Sequence, residues 1–304
     1  MESANTSVGL PAYTLGVQLL LIQFRETLQK LLPSALLEKL LAAKVITQSE
    51  DGKLASTIRV SDFYLPHLTQ QPREPRQYYI HSALSSDSDC VFFGPDTYLF
   101  LDFLESTKDH VKRDPRSAID ICCGAGAGAI HMAQAYHEAT VLGLDSNPKA
   151  LDLAKVNASL AKTENVEFIS SDLYAAVPTS LQGNVDLIVS NPRYITSSTE
   201  QGGGLPLHAD GRPMDGLDIA LQIIAEGLEL LFAGGLILLY TGVSIPARSP
   251  GSDPMLEKVQ QISGSTLLEY RIIHPDMWPE EIGKGAYADV ARIMTVGIVL
   301  RKGD

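Results

Sequence analysis

The stretch DICCGAGAG, residues 120–128, ends one apolar run and begins a segment of helical character. Glycines in a turn between a strand and a helix let a ligand approach the backbone, and the first turn of the helix offers N–H groups without partners inside the helix. Gly124 and Gly126 lie in this turn, and Asp120 precedes them. The stretch therefore predicts a ligand site between the first strand of a sheet and the following helix.

Strand-like and helix-like segments alternate from about residue 91 onward, which is typical of a parallel sheet covered by helices. Near the C-terminus two strand-like segments follow each other with no clear helix between them. We expect these two to form an antiparallel hairpin at the edge of the sheet. The predicted strands are SAIDIC (117–122), ATVLGLD (139–145), VEFISSD (166–172), VDLIVSN (185–191), LILLYTG (236–242), TLLEYRIIH (266–274) and ARIMTVGIVLR (291–301).

Residues 1–90 lack this alternation, and we predict that they form a separate N-terminal module beside a ligand-binding domain of residues 91–304. A second helix is expected after Pro33, and two short strands around Asp51 and Gly52 form a hairpin, giving a winged-helix-like outline. Residues 69–90 have the composition of a loop or linker. The first helix is indicated by apolar residues at helical spacing: Val17, Leu20, Leu21, Phe24, Leu28 and Leu31.

The composition narrows the classes of function. The 304 residues are 45% hydrophobic, as in globular proteins with a full core, and the net charge of −12 argues against a broad nucleic-acid contact. Charges nearly balance within residues 1–60, so we interpret the N-terminal module as a lid or recognition module.

Three cysteines without zinc-site spacing favour a reducing compartment and no metal. With neither a signal peptide nor a membrane-spanning run, we expect a cytoplasmic location.

Three aspartates at successive strand ends distinguish between two cofactor classes. The glycine spacing tolerates a dinucleotide, but the Asp120 carboxylate would repel a pyrophosphate and can pair with the ammonium group of S-adenosylmethionine. Asp145 stands where an acidic side chain can hold ribose hydroxyls. Asp172 can accept from an adenine amino group, with the backbone of Leu173 completing that contact. This pattern favours S-adenosylmethionine.

The motifs DICCGAGAG, LGLDSNPKALDLAKVNA, SSDL and SNPRY stand in the order and spacing of class I S-adenosylmethionine-dependent methyltransferases. Over residues 91–300 the chain most resembles the branch that includes protein-glutamine and rRNA N-methyltransferases. The resemblance implies a Rossmann-like α/β fold with a seven-stranded sheet and an antiparallel last strand. It also places FFGPDTYLF, residues 92–100, over the cofactor, so that Phe93, Thr97 and Tyr98 are candidate contacts. Cys122 departs from the family, which usually has glycine there.

The hexapeptide SNPRYI, residues 190–195, differs from the resembling enzymes at one position. There an Asn–Pro–Pro–Tyr tip holds the nitrogen that is methylated. The resemblance gives Asn191 and the Pro192 carbonyl the role of accepting N–H bonds, and gives the Tyr194 ring a contact with the cation. Arg193 replaces the second proline. We consider three roles for it: pairing with a nearby carboxylate, binding an acidic group, or reshaping the acceptor pocket.

Three hypotheses about function remain open at this point. The main one is N-methyl transfer to an amine or amide of a small metabolite or of a protein glutamine, with an rRNA base less compatible with the acidic charge. The alternative is cyclisation of S-adenosylmethionine alone to azetidine-2-carboxylate, with release of methylthioadenosine, which needs a dry aromatic cage around the sulfonium. The third is a non-catalytic regulator. Trp278, the only tryptophan, is a candidate for a wall of the pocket, but the simpler expectation is that it anchors a loop.

Overall fold

The computed structural model describes residues 23–24, 33–63, 77–83, 89–194 and 216–303, with residues 23–24 described by their backbone alone. The N-terminal elements are β1 (Gln23–Phe24), α1 (Ser34–Ala42), β2 (Ile46–Gln48), β3 (Lys53–Ser56), β4 (Ile58–Phe63) and β5 (Gln77–Ser82). The later elements are α2 (Pro95–Ser106), β6 (Ser117–Ile121), α3 (Ala127–Ala135), β7 (Thr140–Asp145), α4 (Pro148–Ala161), β8 (Val166–Ser170), β9 (Val185–Ser190), α5 (Asp218–Leu230), β10 (Leu231–Pro246), α6 (Pro254–Val259), β11 (Ser265–His274) and β12 (Val290–Lys302).

A seven-stranded sheet forms the centre of the molecule, in the order β11-β12-β10-β9-β6-β7-β8. Strands β8, β7, β6, β9 and β10 are parallel, whereas β12 runs antiparallel to both β10 and β11. The predicted parallel sheet with an antiparallel hairpin at its edge is therefore confirmed. The sheet reverses its strand order between β6 and β9, and in open α/β sheets ligands bind at the carboxyl ends of the strands beside such a point.

Both faces of the sheet are buried, which explains why its strands read as continuous apolar runs. Alternate residues of β10 point to opposite faces of the sheet. Leu238 and Tyr240 pack in the core beneath α2, α3 and α4. Ile237 and Leu239 pack in the core beneath α5 and α6. Every residue of β6 is buried, Asp120 included. A carboxylate in such a strand indicates a role that an apolar residue cannot fill.

The N-terminal elements confirm part of the sequence prediction and correct part of it. Helix α1 begins after Pro33 as predicted, and β2 and β3 form the predicted antiparallel hairpin. The helix predicted to include Phe24 is wrong at that position, because Phe24 pairs as a strand with Lys53. The other positions of that helix, Val17, Leu20, Leu21, Leu28 and Leu31, lie outside the described residues.

The linker interpretation of residues 69–90 is wrong over β5, which pairs with β4 in an antiparallel ribbon. Asn157 of α4, fully buried, fastens β5 to α4 and to the loop after β6. Its side-chain oxygen accepts from the Ile80 N–H at 2.7 Å, and its amide nitrogen donates to the carbonyls of Ile80 at 3.0 Å and Ala125 at 2.9 Å. By contrast α1 and β3 have a small core of their own around Leu37 and Leu54. Among the residues that the structure describes, no helix is long and apolar enough to cross a membrane.

Candidate active site

A cavity of about 430 Å³ opens at the carboxyl ends of β6, β7, β8 and β9, and the segments 90–100 and 278–281 complete its walls. This volume is within the range of roughly 300–1,000 Å³ that is usual for small-molecule sites. All the predicted site residues except Gly126 and Tyr98 line it. They are Asn191, Pro192, Arg193 and Tyr194 from the strand tip, and Asp120, Gly124, Asp145, Asp172, Leu173, Phe93 and Thr97 from the predicted cofactor side.

The two glycines of the turn after β6 have different roles. Gly124 lines the cavity, and its N–H donates to the Asp145 carboxylate at 2.9 Å. Gly126 precedes α3 with φ +84° and faces the protein interior, where an added Cβ would lie 3.0 Å from Ala154 and 3.1 Å from the ring of Phe168. Gly126 therefore allows α3 to pack closely against α4 and β8, and it does not line the cavity.

Asp120 is the most deeply buried carboxylate of the site, with 1% of its surface exposed. Its Oδ2 accepts the Ala129 N–H at 2.7 Å, in the first turn of α3. Burial, together with repulsion from nearby Asp145, raises the pKa of Asp120 to about 8. The carboxylate fits only because Gly128 has no side chain, since a Cβ there would lie 2.8 Å from Oδ2. A cation bound beside Asp120 would favour its ionised form.

Asp145 bridges the loops that follow β6 and β7. One carboxylate oxygen accepts from Gly124, and the other accepts the Asn147 N–H at 2.9 Å. Burial raises the pKa of Asp145, and these two hydrogen bonds and the positive charge of Arg193 oppose the rise. Each carboxylate oxygen has further lone pairs, so Asp145 can also accept from ligand hydroxyls.

Two residues on the cavity wall, Cys122 and Leu173, adopt left-handed backbone conformations, with φ of 59° and 46°. Residues other than glycine rarely do so, and strain of this kind concentrates at functional sites. The conformation at Cys122 explains why the resembling enzymes use glycine there. The Leu173 turn is held by the Ser171 hydroxyl, which donates to the Leu173 carbonyl at 2.7 Å. Burial raises the pKa of Cys122 to about 12, so its thiol is not a nucleophile.

The segment before α2 contributes one aromatic wall. Phe93 lines the cavity and stacks on Tyr79 and His81 of β5, at centroid distances of 4.9 and 5.5 Å. Thr97 also lines it, and its hydroxyl accepts the Gly94 N–H at 3.4 Å. Tyr98, the third candidate of this segment, does not line the cavity. Its hydroxyl instead donates to the Asp62 carbonyl of β4 at 3.0 Å, so the ring packs between α2 and the ribbon.

Three side chains that were not assigned to the site from the sequence form a hydrogen-bond network at the tip of β9. The Tyr194 hydroxyl donates to Asp96 at 2.5 Å and accepts the indole N–H of Trp278 at 2.9 Å. The Tyr240 hydroxyl donates to the other Asp96 oxygen at 2.8 Å. Asp96 stands within FFGPDTYLF, where an aspartate in the first turn of a helix has the ordinary meaning of a favourable charge. No local signal distinguishes it. Trp278 anchors its loop as predicted, and it also lines the cavity.

Asn191 and Arg193 stand on either side of Pro192 at this tip. Within the described parts of the chain, the Asn191 side-chain amide has no hydrogen-bond partner, and it lines the cavity. The charge of Arg193 partly opposes the rise in pKa that burial causes at Asp145 and at Cys122. The three roles considered for Arg193 stay predictions.

The lining of the cavity is strongly acidic, and Arg193 is the only lysine or arginine among its described residues. Such a lining attracts cations and repels a pyrophosphate. It therefore fits S-adenosylmethionine, which carries a sulfonium and an ammonium group, better than a dinucleotide. Glu280 and Glu281, which the sequence analysis missed, extend this character to the loop after Trp278. The carboxyl groups are those of Asp96, Asp120, Asp145, Asp172, Glu280 and Glu281.

Comparisons with known proteins identify relatives of this chain. The uL3 ribosomal protein glutamine methyltransferase of Neisseria gonorrhoeae is 29% identical over 225 residues, which cover 69% of this chain and 70% of that one. The release factor glutamine methyltransferase of Deinococcus radiodurans is 33% identical over 51% of this chain and 55% of its own length.

A crystal structure from Pyrococcus horikoshii, described as that of a transferase, superimposes with a TM-score of 0.51 at 14% identity, over 89% of this chain and 83% of that chain, and supports the fold alone. The model of the methyltransferase small domain family matches residues 95–262, more than half of the chain. The predicted S-adenosylmethionine-dependent methyltransferase is thereby confirmed, and the chain belongs to the methyltransferase small domain family.

Proposed function

We propose that this enzyme transfers the methyl group of S-adenosylmethionine to the side-chain amide nitrogen of a protein glutamine. The observation that carries the proposal is the tip of β9, where the Asn191 amide, which has no partner among the described residues, and the hydrogen-bonded ring of Tyr194 line one acidic cavity. The two relatives described above are both protein-glutamine methyltransferases, which supports the choice of acceptor.

The cofactor side of the proposed site is assigned as follows. Asp120 pairs with the ammonium group, Asp145 accepts from the ribose hydroxyls, and Asp172 with the Leu173 backbone receives the adenine. Gly124 supports this arrangement through its hydrogen bond to Asp145. Phe93 and Thr97 form the wall on the side of α2. When bound, S-adenosylmethionine supplies a methyl group on a sulfonium sulfur.

The acceptor side is assigned to three residues. An amide nitrogen is a poor nucleophile while its lone pair is delocalised into the carbonyl. The Asn191 side-chain oxygen and the Pro192 carbonyl accept its two N–H groups and direct the lone pair to the methyl carbon. The carbon–sulfur bond breaks as the carbon–nitrogen bond forms, sulfur keeps the electron pair, and the nitrogen releases one proton to solvent. The Tyr194 ring favours the positive charge that moves from sulfur to nitrogen.

Arg193 and residues 1–90 complete the proposal. We assign Arg193 to the Asp145 carboxylate, whose ionised form it favours. We assign residues 1–90 to recognition of the protein acceptor, because Tyr79 of β5 stacks on the cavity residue Phe93 and the Asp62 carbonyl of β4 accepts from Tyr98 of α2. The cytoplasmic location stays a prediction.

The test is an acceptor assay with S-adenosylmethionine and, in separate reactions, a release factor, ribosomal proteins and a panel of small amines. We expect S-adenosylhomocysteine in a protein reaction and a single methyl group on a glutamine of that protein by peptide mass spectrometry. Asn191→Ala should remove most of this activity while cofactor binding persists, and Asn184→Ala, at an exposed amide remote from the cavity, serves as the matched control.

The same assay separates the alternatives. Turnover with small amines and none of the proteins would replace the protein glutamine by a metabolite as acceptor. Methylthioadenosine formed from S-adenosylmethionine alone would contradict methyl transfer and favour the cyclisation to azetidine-2-carboxylate.

A further inference from the structure

Asp96 is a buried carboxylate that neither the cofactor assignment nor the acceptor assignment uses. It is 6% exposed, and its two oxygens receive hydrogen bonds from two different tyrosines. Tyr194 donates to Oδ2 at 2.5 Å and Tyr240 donates to Oδ1 at 2.8 Å. Hydrogen bonds to a carboxylate are shorter and stronger than neutral ones, so this arrangement holds both phenol rings firmly.

Trp278 determines the direction of the hydrogen bonds at Tyr194. An indole N–H can only donate, so the Tyr194 oxygen must accept from Trp278. The Tyr194 hydroxyl proton is then directed to Asp96. The phenol oxygen is thus held between a donor from the loop before β12 and an acceptor from the start of α2.

The Tyr194 ring itself packs closely against β10 at Gly242. A Cβ added to Gly242 would come within 2.1 Å of the ring, so glycine is required for the ring to reach this position. The ring therefore has a backbone surface on one side, Asp96 and Trp278 at its hydroxyl end, and the cavity beside it.

We propose that Asp96 and Trp278 are positioning residues for methyl transfer, which act through Tyr194 by fixing its ring against the reacting groups. The inference rests on the proposed function, in which the Tyr194 ring faces the cation. A ring that rotates away loses its contact with the moving positive charge, and donation to a carboxylate also enriches the ring in electron density. Both effects act in the transition state more than in cofactor binding.

The kinetic test uses Asp96→Asn and Trp278→Phe. The asparagine keeps the shape but loses the charge, and the phenylalanine keeps an aromatic ring but loses the donor. We expect kcat to fall by about 10- to 100-fold for Asp96→Asn and by about threefold to tenfold for Trp278→Phe. Affinity for S-adenosylmethionine, measured by calorimetry, should stay within about twofold of the parent because neither residue is assigned to the cofactor.

A matched pair elsewhere in the chain controls for the loss of a tyrosine–aspartate hydrogen bond as such. Tyr270 donates to both oxygens of Asp253 at 2.8 and 2.7 Å, and neither residue lines the cavity. Asp253→Asn and Tyr270→Phe should lower the melting temperature without changing kcat. A loss of kcat in these variants equal to that in Asp96→Asn would overturn the inference.

A double-mutant cycle separates positioning from a general structural role. In a Tyr194→Phe background Asp96 has lost its partner in the site, so Asp96→Asn should change kcat by no more than about twofold there. Additive losses in the double variant would contradict action through Tyr194, and so would equal losses of kcat and cofactor affinity in the single variant. If Asp96→Asn does not fold, Trp278→Phe in the same cycle decides the question.

Fluorescence gives a readout that does not depend on the acceptor. Trp278 is the only tryptophan, so the emission of the protein reports on this contact directly. Asp96→Asn and Tyr194→Phe should both lower the steady-state anisotropy of Trp278, because its partner is loosened or removed, whereas Asp253→Asn should not. Unchanged anisotropy in both site variants would overturn the positioning role. Lowered anisotropy without methyl transfer to any acceptor would instead count against the proposed function alone.

Discussion

The two sides of the cavity are built by different kinds of hydrogen bond. On the cofactor side, Asp120 and Asp145 accept backbone N–H groups that lie 9, 21 and 2 residues away in the chain. On the acceptor side, side chains bond to side chains across separations of 84, 98 and 144 residues. Backbone donors persist whatever the neighbouring side chains are, but a side-chain network needs every member. The cofactor side should therefore tolerate substitution of its neighbours better than the acceptor side does.

Asn157 is the exception on the cofactor side, because it clamps β5 and the loop after β6 through a side chain. Asn157→Ala removes the side-chain partner of three backbone groups, two part-buried ones on Ile80 and a buried one on Ala125. We expect the free energy of unfolding to fall by about 3 kcal/mol, measured by urea denaturation. Asn184→Ala, at an exposed amide, is the control. A loss as small as that of the control would mean that β5 is held by apolar packing alone.

Asp145→Ala tests whether the backbone-held carboxylate also binds the cofactor. We expect affinity for S-adenosylmethionine to fall by about 10- to 100-fold in calorimetry, because a charge-assisted hydrogen bond contributes about 1.5–3 kcal/mol. At saturating cofactor kcat should change little, in contrast to Asp96→Asn. Asp152→Ala, at an exposed position of α4, should leave affinity unchanged. Unaltered affinity in Asp145→Ala would refute the ribose assignment.

The pH dependence of cofactor binding tests Asp120. Its pKa is raised to about 8 in the ligand-free protein by burial and by Asp145, so below that pH the group is protonated. An ammonium ligand favours the carboxylate, hence binding releases a proton and affinity should rise with pH by up to about tenfold per unit until pH 8. Above about pH 8 the ligand amine loses its own proton and the rise should end. Asp120→Asn should abolish the rise, and a flat profile in the parent protein would argue against the ammonium contact.

Cys122→Gly probes the smallest effect, the strain of the cofactor loop. Glycine adopts the observed φ of 59° freely, but it also adds entropy to the unfolded chain. We expect a gain in stability of about 0–1 kcal/mol by thermal denaturation, with cofactor affinity preserved. Cys123→Gly, at a buried neighbour without positive φ, should destabilise the protein instead. Destabilisation by both changes would mean that packing of Cys122 outweighs its strain.

Much of the fold could be read from local patterns. Strands such as β6 and β9 are short apolar runs bounded by glycine or polar residues, and each predicted strand of the large sheet is present. The failures have one cause, which is pairing with distant residues. Phe24 lies in an apolar helical pattern yet pairs with Lys53, and β5 lies between polar segments yet pairs with β4 and bonds to Asn157. The hydrophobic periodicity of a segment carries no information about a pairing partner that is remote in the chain.

The sequence by itself determined the order of strands and helices, the glycine turn after β6, the aspartates at the strand ends and the NPRY tip, because each depends on residues close together in the chain. Only the tertiary structure decided that Gly126 serves packing, that Tyr98 faces Asp62, and that Asp96 and Trp278 meet at Tyr194. The physical reason is that a side chain's partner is chosen by the folding of the sheet, which brings the start of α2, the tip of β9 and the loop before β12 to one point.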